Sequence, residues 1–207
     1  MLLLVSGATT AIEKFKSKHL GQLLTPQTGN KIDRIVKNGL MWACDNGCFA
    51  GFDEVAFVKM VKNVQGKPNL LFIAMPDVVG NTEETLKSFK IWYPVFERYY
   101  NAPIAYVLQD GVNQNEIPWD SINAVFIGGS TEWKLSKEAA NIVHVAKEKG
   151  KWVHMGRVNS FKRVRYAYTI GCDSFDGTQF SMFPDTYIPQ ALDWLENEQM
   201  GIQQCFN

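Results

Sequence analysis

Residues 152–177 read WVHMGRVNSFKRVRYAYTIGCDSFDG. A short run, Trp152 to His154, ends in Met155, Gly156 and Arg157; an amphipathic stretch, Phe161 to Ile170, follows; a second run, Asp173 to Phe175, ends in Asp176 and Gly177. Short run, helix-length stretch, short run is the spacing of a strand–helix–strand unit with parallel strands. Outward from it the same alternation fills the chain. Further strand-like runs fall at Leu2 to Val5, Met41 to Cys44, Leu70 to Ala74, Ile104 to Leu108 and Ala124 to Ile127. Helical patterns lie near Ala11 to Lys18, Lys31 to Lys37, Phe52 to Val64, Thr82 to Tyr99, Lys137 to Lys149 and Tyr187 to Glu198. The expected fold is α/β: a compact, trimmed TIM-like (β/α)8 barrel with short loops and an incomplete eighth unit, since such barrels usually take roughly 250 residues. An open doubly wound sheet is the competing architecture.

With 207 residues, 46% of them apolar, the chain can bury one full core and is short for two, so residues 1–207 read as a single domain. Pro68, Gly66 and Pro103 punctuate helix-to-strand turns, and no linker or repeat interrupts the pattern. Lys plus Arg and Asp plus Glu both number 21, so any nucleic-acid surface must be local. Four scattered cysteines, Cys44, Cys48, Cys172 and Cys205, and no secretory leader fit a reducing, cytoplasmic compartment. Leu2 to Val5 is too short for a membrane span.

The residues just after the runs are polar or glycine: Asp45 and Asn46, Pro76 and Asp77, Gln109 and Asp110, Gly128 and Gly129, Met155 to Arg157, Asp176 and Gly177. Taken singly, an Asp after a strand is a turn or helix-cap residue and a Gly pair is a tight turn. Taken together they have a second meaning, because a closed barrel brings the C-terminal ends of its strands to one rim, where catalytic groups converge.

In order, these segments resemble the queuine/archaeosine tRNA-guanine transglycosylase family, and more closely its reduced DNA-modifying phage relatives, the DNA 7-deazaguanine transglycosylases. Residues 44–49, CDNGCF, resemble the family's Asp-Ser-Gly-Gly-Phe segment, and Asp45 matches its general acid/base. Asp77 lies where the family binds the Watson–Crick edge of guanine; Gln109, in VLQDG at 107–111, matches a base-contacting glutamine; Gly128 and Gly129 match a backbone element. Met155 and Gly156 fall in a segment similar to Leu-Met-Gly-Val, and residues 171–176, GCDSFD, resemble the nucleophile segment with Asp176 as nucleophile. The match spans Trp42 to Thr178.

Three departures stand out. The tRNA enzymes carry a Cys/Cys/Cys/His zinc site after the nucleophile, whereas Cys205 alone of such residues follows Asp176, so neither metal nor zinc subdomain is expected. Asn46 and Cys48 replace small residues, and Asp110 stands where the family has glycine, either tuning the incoming base or capping a turn.

The resemblance implies exchange of guanine in DNA for a 7-deazaguanine base of the 7-cyano type, by double displacement through a covalent Asp176 intermediate and without a cofactor. By analogy with retaining glycosidases, whose carboxyls lie roughly 5 to 5.5 Å apart, Asp176 attacks while Asp45 moves the proton. Asp77 accepts from guanine N1–H and the exocyclic amine, and Gln109 with a backbone N–H near Gly129 addresses O6. The nucleotide must be flipped out or single-stranded. Arg157, Lys162, Arg163 and Arg165 either grip phosphates or form a solvated helix face. Phe161, Tyr166 and Tyr168 stack on bases or join the core, the six tryptophans read as packing, and His154, inside an apolar run, reads as a core histidine rather than a catalyst.

Other readings stay open: a tRNA enzyme, an N-glycosidase or base-exchange enzyme for small nucleosides, a nucleic-acid-binding relative without turnover, or a sugar-phosphate barrel enzyme lacking a clear phosphate loop. The expected partners are DNA and the free base, with no membrane, and a homodimer or partner subunit is compatible.

Overall fold

The computed structural model describes residues 1–28 and 32–205. Its strands are β1 (Leu2–Ser6), β2 (Leu20–Leu24), β3 (Met41–Cys44), β4 (Leu70–Ala74), β5 (Ile104–Leu108), β6 (Ala124–Ile127), β7 (Trp152–Met155) and β8 (Ser174–Phe175). All are parallel, and they close in chain order into a barrel when Leu2 and Leu3 of β1 pair with Ser174 and Phe175 of β8. Closure excludes the open sheet.

The helices among the described residues are α1 (Thr9–Ile12), α2 (Ile32–Lys37), α3 (Glu54–Val64), α4 (Thr82–Tyr99), α5 (Thr131–Lys134), α6 (Lys137–Glu148), α7 (Phe161–Thr169), α8 (Thr178–Met182) and α9 (Pro184–Cys205). Lys31, where the second expected helix begins, lies outside the described residues. The first expected helix, Ala11 to Lys18, is instead one turn at Thr9–Ile12 followed by irregular backbone. Many helix starts are set by a side-chain oxygen that accepts an otherwise orphaned N–H: Asp53 for α3, Asn81 for α4, Ser130 for α5, Ser136 for α6 and Ser160 for α7. No described helix is long and apolar enough to cross a membrane.

The eighth unit is complete, contrary to expectation, because β2 is a strand that the apolar pattern hides. Gly21 and Gln22 interrupt its run, yet every residue of β2 is buried. A Cβ at Gly21 would lie 2.5 Å from the Met41 carbonyl oxygen and 2.7 Å from Leu4, so a side chain is excluded there. Gln22 Nε2 donates to the carbonyls of Val5 at 2.6 Å and Gly7 at 2.8 Å, while its buried Oε1 is left without a partner among the described residues.

Strand alternation sorts the core in two. Leu3, Val5, Ile73, Tyr106, Ile127, Val153 and Phe175 face outward and pack beneath the helices. Leu4, Leu23, Ala43, Phe72, Ala74, Ala105, Val107, Ala124 and Phe126 fill the barrel. The inner set mixes alanines with two rings, Phe72 and Phe126, packed edge-on at 6.3 Å. Small residues above these rings leave the C-terminal end of the barrel hollow.

Candidate active site

The hollow is a cavity of about 580 Å³ with Leu23, Ala74, Val107 and Phe126 in its walls and Asp45, Asp77, Gln109 and Asp176 among its polar groups. Volume and mixed apolar and polar lining suit a small organic group.

Asp45 follows β3, and its Oδ1 accepts the Gly47 N–H at 2.7 Å. Burial pushes its carboxyl up to about 7, against that hydrogen bond and the charge of Arg157, and the negative charges of Asp176 and Asp77 add to the rise. A carboxyl poised there can hold or release a proton near neutrality.

Asp176 follows β8. One oxygen accepts the Arg157 backbone N–H at 3.2 Å, and the other lies 3.0 Å from His154 Nε2. Arg157 holds a left-handed backbone, φ 57°, uncommon for a side-chain-bearing residue, and this turn delivers its N–H to Asp176. Its guanidinium bonds the Gly129 carbonyl and lies 4.2 Å from the centre of the exposed Phe49 ring, bridging the β3 and β6 sides of the mouth.

Asp77 and Gln109 are bonded to each other: Gln109 Nε2 donates to Asp77 Oδ2 at 2.6 Å, while Gln109 Oε1 accepts from Gly80 N–H at 2.9 Å. Asn46 donates to Asp77 Oδ1 and to the Met75 carbonyl, both at 2.7 Å. Asn46 therefore braces Asp77. Burial pushes the Asp77 carboxyl up, against the Asn46 hydrogen bond. Cys48 is an unreactive thiol, pushed up to about 12 by burial and then by Asp77.

Gly128 and Gly129 are required by close approach. A Cβ on Gly128 would stand 2.8 Å from the Leu108 carbonyl oxygen; Gly129 has φ +62°, and a Cβ there would meet Asp110 Oδ2 at 2.5 Å. Asp110 accepts from the Ser130 amide at 2.6 Å and bonds its hydroxyl at 2.5 Å. Burial works against ionisation of Asp110, but these bonds hold its carboxyl below the ordinary range. Of its two readings, the turn-tying one describes what it contacts.

Not every expected residue reaches the cavity. Asp45, Asp77, Gln109, Gly128, Gly129, Arg157, Arg163 and Asp176 line it. Gly156 sits just behind, where a Cβ would lie 2.5 Å from Phe126 and 3.5 Å from Asp176 Oδ2. Met155 is a correction: it points away from the barrel axis into the helical shell, because alternation puts it opposite His154 and Gly156. Lys162 and Arg165 are exposed on α7 and do not line the cavity, since residues flanking Arg163 and Val164 turn to other faces of the helix. Phe161, Tyr166 and Tyr168 pack against the core. Trp42, Trp133 and Trp194 pack as expected, whereas Trp152 lies inside the barrel and donates to Ser174 Oγ at 2.8 Å.

The sequence reading gave no place in the site to two residues beside it. His154 is the buried, hydrogen-bonded histidine expected, but it lies inside the barrel against Asp176, and alternation counted back from Gly156 is the signal that places it there. Lys134, 4% exposed, donates to the Gly156 carbonyl at 2.8 Å and is pushed down to about 8 by burial, then by Arg157. No sequence signal separates it from a solvated helix lysine. Among the described residues no group of three His, Cys, Asp or Glu side chains is disposed to hold a metal ion.

Neither the protein-family models nor the curated proteins compared with the chain gave a match.

Proposed function

We propose that the chain is a guanine transglycosylase that replaces guanine in DNA by a 7-deazaguanine base, through a covalent Asp176 intermediate. The observation that carries this reading is the placing of Asp45 and Asp176 in one cavity with unlike environments: Asp45 desolvated and proton-holding, Asp176 held by the Arg157 backbone N–H at one oxygen and within 3.0 Å of His154 Nε2 at the other. Paired carboxyls whose surroundings divide acid from nucleophile are what double displacement at an anomeric carbon needs.

In the first displacement Asp176 Oδ1 bonds C1′ as the C1′–N9 bond breaks; its electron pair leaves with guanine, which takes the proton held by Asp45. In the second, N9 of the incoming base attacks C1′, the C1′–Oδ1 pair returns to the carboxylate, and Asp45 recovers a proton from the base. Guanine presents N1–H and its amine as donors, which Asp77 accepts on lone pairs not taken by Asn46 and Gln109. O6 is met by the second Nε2 hydrogen of Gln109 or by backbone N–H at the Gly128–Gly129 turn. Adenine or cytosine would leave these buried groups unpaired. Arg157 and Arg163 at the mouth suit flanking phosphates.

The test incubates the protein with duplex DNA, single-stranded DNA, tRNA or nucleosides, plus 7-cyano-7-deazaguanine, and measures nucleosides by mass spectrometry. Modified deoxyguanosine in DNA, lost in Asp176→Ala with base binding retained, is the expected result. Modification of tRNA or free nucleosides instead would move the substrate assignment, and turnover by Asp176→Ala would remove Asp176 as nucleophile.

A further inference from the structure

Behind Asp176, on the inward faces of β7 and β8, runs a chain of polar contacts to which the displacement described above gives no step. Trp152 Nε1 lies 2.8 Å from Ser174 Oγ, Ser174 Oγ lies 2.8 Å from His154 Nδ1, and His154 Nε2 lies 3.0 Å from Asp176 Oδ2. Register holds them together, because His154 pairs directly with Ser174 and each strand turns alternate residues inward. His154 has no solvent access, and the rings of Phe126 and Phe72 close over it at 4.6 and 5.3 Å.

The directions of these bonds follow from the two ends of the chain. An indole N–H can only donate, so Ser174 Oγ accepts from Trp152. A carboxylate can only accept, so His154 Nε2 donates to Asp176 Oδ2. With its one ring proton on Nε2, His154 presents Nδ1 as the acceptor for the Ser174 hydroxyl.

We infer that His154 is a positioning residue, locked in its Nε2–H form by Trp152 and Ser174, that fixes Asp176 with Oδ1 toward the sugar and stabilises the carboxylate as it leaves C1′. This rests on the transglycosylase reading of the cavity. In the glycosyl-enzyme, Oδ2 is a neutral ester carbonyl; as the C1′–Oδ1 bond breaks, negative charge returns to the carboxylate, and a fixed N–H at 3.0 Å from Oδ2 meets it without reorganisation. Loss of that donor slows release of the sugar from Asp176 more than its capture, so the covalent adduct accumulates.

Two measurements decide it. The first is nitrogen-15 NMR of the labelled histidine rings in the wild type, read against only three histidines in the chain. His154 should carry its proton on Nε2, with a mixture of tautomers in Ser174→Ala; a proton on Nδ1 in the wild type overturns the inference. It needs no turnover, so a wild type inactive in base exchange defeats the transglycosylase reading while leaving this result standing. The second compares His154→Leu with His154→Gln, whose amide can donate from nearly the same place. His154→Leu should lose about 100-fold in kcat with KM for the base within about threefold, and denaturing electrophoresis should show the DNA adduct; His154→Gln should recover most of the rate. A kcat within about threefold of wild type, or a loss wholly in KM without adduct, overturns the assignment, and Ser174→Ala carries the same kinetic test if His154→Leu does not fold.

Discussion

Replacing Asp45 by Asn should make the protein more stable above neutral pH and leave it unchanged in acid. In the folded state burial lifts the Asp45 carboxyl from 3.8 to about 7, with Asp176 and Asp77 contributing; unfolding returns it to water. Below about pH 4 both states are protonated and the group contributes nothing. Between about 4 and 7 the unfolded chain binds fewer protons than the folded one, so stability falls as pH rises, and above about 7 the whole cost is present. At about 1.4 kcal/mol per pH unit the lift corresponds to roughly 4 kcal/mol. Asn keeps an oxygen for the Gly47 N–H, now at 2.7 Å, and carries no charge. Urea denaturation of both proteins at pH 3 and pH 8.5 should give a difference near zero at the first and about 2–4 kcal/mol in favour of Asp45→Asn at the second. A variant no more stable than wild type at pH 8.5 would refute the electrostatic account of Asp45. The stabilised variant should be inactive in base exchange, since a carboxyl held against its own solvation is the functional cost carried by such a site.

Asp77→Asn turns an amide toward the donors of Asn46 and Gln109 and removes the acceptor proposed for the guanine edge; equilibrium binding of guanine should weaken about 100-fold or more, and unchanged affinity would remove Asp77 from base recognition. Gly156→Ala drives a methyl to 2.5 Å from Phe126, itself held against Phe72 and His154, and should cost about 1–3 kcal/mol in a urea melt; wild-type stability would show that the rings have room to move. Arg163→Ala should weaken DNA binding alike across sequences and lower the slope of log K against log salt by about 1, whereas Lys162→Ala, outside the cavity, should change the slope less. Equal effects would place the DNA along α7 rather than over the cavity.

Seven of the eight strands were legible as short runs, because an all-parallel sheet covered by helices needs apolar residues on both faces. The eighth, β2, was not, because its interior position beside Met41 admits only glycine and the side-chain N–H groups of its buried glutamine are taken up by carbonyls from β1 and the loop after it. Apolar scanning detects a side chain's own chemistry and is blind to partners supplied by a distant strand.

The polar residues at the strand ends were likewise readable in order, and the barrel gathers most of them onto one cavity. Local sequence determines where a strand ends and which polar groups stand there, since that depends on periodicity and turn chemistry within a few residues. The tertiary structure alone decided which of those groups face each other. Met155 looked like a site residue and turned to the shell; His154 is the buried histidine it looked like, and its neighbour there is Asp176; Lys134, to which the sequence drew no attention, is buried beneath Gly156. For the strand residues the outcome hangs on inward or outward phase, which has meaning only once the sheet closes, a contact between its first and last strands, β1 and β8.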